Sequence, residues 1–184
     1  MPKQTPTSGE KPPFSRIVTP ADAGSALQGR LEANAAEREV LAQFNGVASL
    51  ASLSFAYGLE SLPSQRYRLT GEVQAELTQL CGVTLEPVAE HIREAVSLEF
   101  WPEHLLADAA SDPAEPDELL ASDPPEALVN GRIDLGQLAA EIFASAINPY
   151  PRKPDAEFGW TDPKSADAGG LKPFAALAQL KSKH

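Results

Sequence analysis

The side chains that could ligate a metal or act as a nucleophile are sparse along this chain. Cys81 is the single cysteine, and His91 and His104 are too scattered to complete a tetrahedral zinc site with it. A lone cysteine that ends an alternating strand is typical of a small buried apolar residue. We therefore predict no resident metal and no cofactor, and we expect Cys81 to pack in the core rather than to react.

Acidic residues near the start of the first predicted helix are a second candidate for chemistry. Glu32, Glu37 and Glu39 lie close together in the sequence, with Arg38 among them. Such carboxylates could hold a divalent cation for RNA cleavage, but acidic side chains also stabilise the positive end of a helix dipole. The sequence lacks the motifs of serine hydrolases, phosphate-binding loops and dinucleotide-binding folds. We therefore predict a non-enzymatic protein, with a metal-dependent RNA-processing enzyme as the alternative.

The charge of the chain restricts its partners. The formal net charge is -11 over 184 residues, whereas nucleic-acid affinity comes largely from lysine and arginine that neutralise phosphates. Broad, non-specific RNA or DNA binding is therefore disfavoured, and basic proteins are easier partners. Arg66 and Arg68 on one predicted strand face, and Arg152 and Lys153 beside a proline-rich segment, form either a small basic patch or ordinary solvated surface.

The sequence also bears on the compartment. No apolar run approaches the ~20 residues that cross a bilayer, and one cysteine cannot form an internal disulfide, which is compatible with a reducing cytoplasm. Residues 1–13 contain no apolar stretch of the kind found in secretory signals, and their composition predicts a disordered leader. We expect a cytoplasmic protein with no membrane partner.

Hydrophobic periodicity predicts the α+β class. Alternating stretches around 53–59, 67–77 and 92–100 indicate strands of a curved antiparallel sheet of about five strands, with one face buried. A helix over 33–45 has Ala36, Val40, Leu41 and Phe44 on one face. A second over 134–147 has Asp134 as its N-cap with Gln137 in the capping-box position. Asn130-Gly131 indicates a tight turn.

These elements predict a single domain over residues 14–154. The segment 108–125, rich in acidic residues and proline and free of lysine and arginine, is expected to be a mobile insertion or a surface that captures a basic protein. Residues 155–184 are expected to form a linker and a short amphipathic segment, which docks on its own domain or in a partner groove. Trp160 in this linker is either a contact point for a partner or an aromatic that folds back across the sheet.

Four sequence blocks together resemble the YceD family, bacterial and plastid proteins needed for accumulation of large-subunit ribosomal RNA. The resemblance covers roughly residues 14–181, and the blocks are EANAAERE at 32–39, YRLTGEVQAELTQLCGVTLEPV at 67–88, IDLGQLAAE at 133–141 and PFAALAQLK at 173–181. It implies a non-enzymatic factor for accumulation of the large ribosomal subunit and its 23S rRNA. The implied partners are precursor large-subunit rRNA, a basic ribosomal protein or an assembly factor, and the alternative is an acidic adaptor unrelated to ribosomes.

The resemblance also implies a set of working residues. Many relatives carry a Cys-x-x-Cys pair where this chain has Cys81 and Thr84, so the departure removes half of a zinc site here. If the shared blocks mark a working surface, the candidate partner-binding residues are Glu32, Asn34, Glu37, Arg38, Cys81, Leu85, Glu86, Pro87, Asp134, Leu135, Glu141, Pro149, Tyr150, Pro151 and Arg152, to which Trp160 is added as an aromatic.

Overall fold

A five-stranded sheet flanked by helices forms the domain, which confirms the predicted α+β class. The computed structural model describes residues 12–23, 26–111 and 124–159. The strands are β1 (Ile17–Val18), β2 (Ala26–Glu32), β3 (Ser49–Leu62), β4 (Arg66–Leu80), β5 (Pro87–Pro102), β6 (Glu126–Leu128) and β7 (Ile133–Asp134). The helices in these ranges are α1 (Ala35–Asn45), α2 (Glu103–Ser111) and α3 (Leu135–Ala146). None of the described helices is long and apolar enough to span a bilayer.

The large sheet has the strand order β2-β3-β4-β5-β6, and β1 pairs separately with β7. Its first four strands are antiparallel neighbours, as predicted, but the edge strand β6 runs parallel to β5. Strand β6 pairs only with the last three residues of β5: Glu126 lies opposite Phe100 and Leu128 opposite Pro102, so both strands run in the same direction. Sequence periodicity did not reveal β2 or α2, whereas β6 overlaps the short apolar stretch before the predicted turn at Asn130-Gly131.

The buried face of the sheet follows the alternation in the sequence. Leu53, Phe55 and Leu59 of β3 lie in register with Ala75, Val73 and Leu69 of β4, and all six are buried. Helix α3 packs across β4 and β5, and its Leu135, Ala139 and Phe143 are fully buried. Each fully buried Leu or Phe side chain contributes about 1.5–3 kcal/mol relative to an exposed one.

Helix α1 is oriented differently from the prediction. Leu41 and Ala42 are buried against β3, whereas Val40 is 50% exposed and Phe44 is 65% exposed. The chain is fixed at both ends of the helix, because Ala33 donates its N–H to Leu53 and Val47 donates to Ala42. These attachments turn Val40 and Phe44 outward, so that of the predicted apolar face only Leu41 is buried.

Asp134 joins the amino-terminal segment to the start of α3. It is the N-cap, as predicted: its carboxylate accepts the N–H groups of Gly136 (3.1 Å) and Gln137 (3.0 Å). It also accepts the Ser15 hydroxyl (2.5 Å) and the Arg16 N–H (2.7 Å). Partial burial alone would raise the pKa of Asp134, but the Ser15 hydroxyl and the three N–H groups outweigh it and lower the pKa.

The side chain of Gln137 does not complete the predicted capping box, and Gly136 is required by the close packing of the junction. The Gln137 amide donates to Glu141 at 2.8 Å rather than serving the N-cap. A Cβ on Gly136 would lie 2.7 Å from the Arg16 nitrogen, so only glycine permits this close approach of the two chain segments.

The predicted turn at Asn130-Gly131 is confirmed, since both residues have positive φ (52° and 69°) and the N–H of Arg132 donates to the carbonyl of Val129.

We predict that Asp134→Ala lowers the free energy of unfolding by about 2 kcal/mol, because the α3 cap and the tether to residues 15–16 are lost together. The loss should shrink as the pH falls through the native pKa of Asp134, since this pKa is depressed and the stabilisation requires the carboxylate. Urea unfolding at neutral and acidic pH measures both effects.

The exposed Glu141 on the same helix offers a matched control. Glu141→Ala should change the free energy of unfolding by no more than about 0.5 kcal/mol. Equal effects of the two substitutions would contradict the role given to Asp134.

Candidate partner-binding surface

The start of α1 is built from two of the residues singled out by the sequence, Asn34 and Glu37. Asn34 is the N-cap: its side chain accepts the N–H of Glu37 (3.0 Å), while the Glu37 carboxylate accepts the N–H of Asn34 (2.8 Å). The same carboxylate binds both terminal nitrogens of Arg16, at 2.8 and 3.1 Å. Asn34 and Glu37 therefore hold the helix start and attach the amino-terminal segment to it.

A polar cleft of about 280 Å³ lies beside this helix start, on the face of the sheet opposite the core. Glu32 and Arg38 line it together with Arg30 and His91. Arg30 donates to Glu32 (3.0 Å) and to the Ser54 hydroxyl (3.0 Å), and Arg38 donates to the Ala33 carbonyl (2.6 Å). The cleft therefore mixes both charges, with its arginines engaged by groups of the chain itself.

The carboxylates of this region are not arranged as a metal site. Glu37 is bound to Arg16 and Glu32 to Arg30, and Glu39 is exposed on α1. Across residues 12–23, 26–111 and 124–159, no group of three or more His, Cys, Asp or Glu side chains is placed to hold a metal ion. The geometry gives the alternative of a metal-dependent nuclease no support.

Cys81 closes the turn that connects β4 to β5. Its N–H donates to the Glu86 carbonyl (2.8 Å), and its own carbonyl accepts the N–H of Leu85 (2.9 Å), which has a positive φ of 59°. The thiol is fully buried, as predicted, but Cys81 does not belong to the apolar cluster that forms the core. Its sulfur accepts the N–H groups of Val83, Thr84 and Lys153, each at 3.5 Å.

These donors change the acidity of the thiol. The N–H of Lys153, the hydroxyl and N–H of Thr84 and the N–H of Val83 lower the pKa of Cys81 to about 6, against a smaller opposing effect of burial. N–H groups pointing at one sulfur are the arrangement that stabilises a thiolate. Thr84 thus supplies hydrogen bonds to the sulfur from both its hydroxyl and its N–H.

The segment after α3, residues 149–154, packs against this turn and is called the proline segment here. Gly82 donates its N–H to the Pro151 carbonyl (2.9 Å), and the Lys153 ammonium binds the Glu86 carboxylate (2.7 Å). The hydrogen bond and the positive charge of Lys153 lower the pKa of Glu86. Two blocks far apart in the sequence therefore form one surface, on which Leu85 is 72% and Tyr150 is 84% exposed.

The carboxyl end of α1 lies at the end of the sheet where the Cys81 turn connects β4 to β5. Ala48 donates to the Thr78 carbonyl (2.9 Å), and the Gln79 amide donates to the Asn148 carbonyl (3.2 Å). Phe44 at the end of α1 and Leu80 at the end of β4 (50% exposed) add apolar area. Exposed apolar side chains gathered with polar ones mark interaction sites. We call the set Phe44, Leu80, Leu85, Glu86 and Tyr150 the hairpin-end surface.

The remaining predicted residues take other places. Pro87 begins β5 beside the turn and is exposed, and Arg152 donates to the Ala156 carbonyl (3.1 Å). Leu135 is fully buried and belongs to the core. Glu141 is exposed on α3, and Trp160 lies outside the described residues. Sequence reasoning did not single out Gln79 or Leu80 and gave Phe44 only as part of the apolar face of a helix, because their surroundings depend on which elements meet at this end.

The arginines of the outer sheet face are paired rather than free. Arg68 binds Glu99 at 2.8 Å, and this carboxylate raises the pKa of Arg68. Arg66 lies over the ring of Trp101, 5.2 Å from its centre. Of the two interpretations left open by the sequence, a free basic patch at 66–68 is therefore the less favoured.

We predict that the thiolate absorbance of Cys81 titrates with a midpoint near pH 6. Because the folded pKa lies below the ordinary value of 9.0, the thiolate stabilises the fold fully above pH 9 and loses this effect as the pH falls to 6. The stability difference between the natural protein and Cys81→Ser should therefore shrink over this interval.

Two substitutions at Lys153 test whether its backbone N–H, rather than its charged side chain, lowers the pKa of Cys81. Lys153→Pro removes the N–H that contributes most and should raise the midpoint, whereas Lys153→Ala keeps that N–H and should leave it nearly unchanged. A midpoint near the ordinary thiol value in the natural protein would contradict the assignment.

Comparison with known proteins places this surface in a family context. No curated protein matches the chain, and no solved structure does. A family model described as "Large ribosomal RNA subunit accumulation protein YceD" matches residues 69–181, more than half of the 184 residues. The match includes most of β4, the Cys81 turn, α3 and the proline segment. The chain therefore belongs to the YceD family.

Proposed function

We propose that this protein is a non-enzymatic, cytoplasmic factor for accumulation of the large ribosomal subunit and its 23S rRNA, and that it acts by binding a basic ribosomal or assembly protein. The observation that carries the proposal is the hairpin-end surface. It joins the Cys81 turn to the proline segment, and both lie within the residues that match the family. It combines exposed apolar side chains with hydrogen-bonded polar ones, as interfaces do.

Electrostatics favour a protein rather than bare RNA as the direct ligand. The net charge of -11 repels a phosphate backbone, and the arginines of the outer sheet face are engaged by Glu32, Glu72 and Glu99. A basic ribosomal protein carries the complementary charge, so long-range attraction would speed its capture. Shielding such a protein until it meets its rRNA site would support accumulation of the large subunit.

The other candidates differ in what they require. A metal-dependent RNA-processing enzyme requires free, clustered carboxylates, and none of the described geometry favours it. Direct binding of precursor rRNA requires a free basic surface of the kind that Arg66 and Arg68 do not provide. An acidic adaptor unrelated to ribosomes would use the same charge without the family role. Depletion of the protein distinguishes the two, because only the ribosomal factor would change the ratio of the rRNAs.

We predict that depletion of the protein lowers the ratio of large- to small-subunit rRNA, with a matching loss of large subunits in gradient profiles. Equal loss of both RNAs, or an unchanged ratio, would contradict the proposed role and leave the unrelated adaptor as the better reading.

The surface itself is tested by rescue of the depleted cells. Leu85→Ser together with Tyr150→Ser should fail to restore the ratio, because hot-spot contacts of exposed aromatic and apolar residues would be lost. Val129→Ser is the matched control: Val129 is 54% exposed but lies beside the Asn130-Gly131 turn, near the other end of β5. It should rescue like the natural protein, provided that all variants accumulate to the same level.

A further inference from the structure

A pocket of about 340 Å³ opens at the hairpin end, between the end of α1, the end of β4 and the residues after α3. It lies within the range of ligand-binding cavities. No ionisable side chain lines it, and its walls include Gly46, Val47, Gln79, Leu80, Ile147 and Pro149. Its walls combine apolar and amide side chains, and its lining residues Asn45 and Pro149 are the chain neighbours of Phe44 and Tyr150, which belong to the proposed interface.

The hydrogen-bond donors of this pocket are already used. The N–H groups of Gly46, Val47 and Ala48 donate to Gln43 (3.3 Å), Ala42 (3.1 Å) and Thr78 (2.9 Å), respectively. Pro149 and Pro151, which also line the pocket, have no N–H to offer. Few backbone N–H groups therefore remain to bind an anion or a carbonyl group of a ligand.

One buried acceptor among the lining residues, in contrast, has no partner within the described part of the chain. Gln79 is only 6% exposed, and its Oε1 receives no hydrogen bond from the described part of the chain, while its Nε2 donates to Asn148. Buried amide oxygens are nearly always paired in folded proteins. The pocket also lies at the negative end of the α1 dipole, and no basic residue occupies the last turn of this helix.

We propose that the pocket receives an arginine side chain of the basic partner, an inference that rests on the proposed function and specifies its partner chemistry. A guanidinium is a planar, weakly hydrated cation with five N–H donors and no acceptor. It matches a site with an unpaired amide oxygen, a helix carboxyl end and few free donors. The methylene groups of the arginine contact Val47, Leu80 and Pro149, as long cationic side chains do on apolar surface.

The test uses the full-length isotope-labelled protein and two peptides, acetyl-Gly-Arg-Gly-amide and the same peptide with citrulline, which has the same shape without the charge. Amide shifts on titration should concentrate at residues 45–48, 79–80 and 147–151 with the arginine peptide and be much smaller with citrulline. Gln79→Leu should weaken arginine binding by about tenfold, and Gln79→Glu should strengthen it. A general loosening of the pocket would weaken binding in both variants.

Three results would each overturn the proposal. The first is no binding of the arginine peptide at millimolar concentration, as expected of a pocket that holds only water. The second is equal shifts with the two peptides, and the third is a change of affinity in the same direction in both Gln79 variants. Gln74→Leu, on the opposite face of β4, controls for replacement of a strand glutamine and should leave binding unchanged. If the rRNA ratio falls on depletion while the peptide does not bind, the arginine pocket alone is refuted. If the ratio does not change, the proposed function fails whatever the pocket binds.

Discussion

The register between β4 and β5 is the constraint on which the rest of the structure depends. These strands pair without interruption from Tyr67 opposite Phe100 to Leu80 opposite Pro87. A slip of one residue would move every buried side chain of β5 to the solvent face. The same register fixes where the strands end, and therefore where the Cys81 turn stands relative to the helices packed on the sheet.

The two ends of the β4–β5 pair make different contacts. At one end, β5 leads into α2 and pairs with the parallel edge strand β6, which completes the sheet. At the other end, the Cys81 sulfur accepts N–H groups from its own turn and from Lys153, so the turn and the proline segment are held as one body. The turn is thus fastened by hydrogen bonds to a sulfur of lowered pKa.

The exposed apolar residues follow from the same arrangement. Fixing α1 at Ala33 and Val47 buries Leu41 and leaves Phe44 outside, beside the pocket formed where α1, β4 and the proline segment meet. A monomer gains nothing in stability from an exposed phenylalanine. The hairpin-end surface, the pocket with its unpaired amide oxygen and the acidic charge of the chain are instead consistent with one docking surface for a basic protein.

Sequence alone determined the features that depend on near neighbours. Alternation assigned the faces of β3, β4 and β5, Asp134 marked the start of α3, Asn130-Gly131 marked a turn, and the net charge disfavoured broad RNA binding. These are local properties, set by backbone geometry within a few residues. Only the tertiary structure decided the side on which α1 is buried, the parallel pairing of β6 and the contacts of Cys81 with Lys153 and of Gln79 with Asn148, which lie 72 and 69 residues apart. No local pattern encodes such contacts, because they exist only after the sheet has closed long loops and placed its ends against the helices.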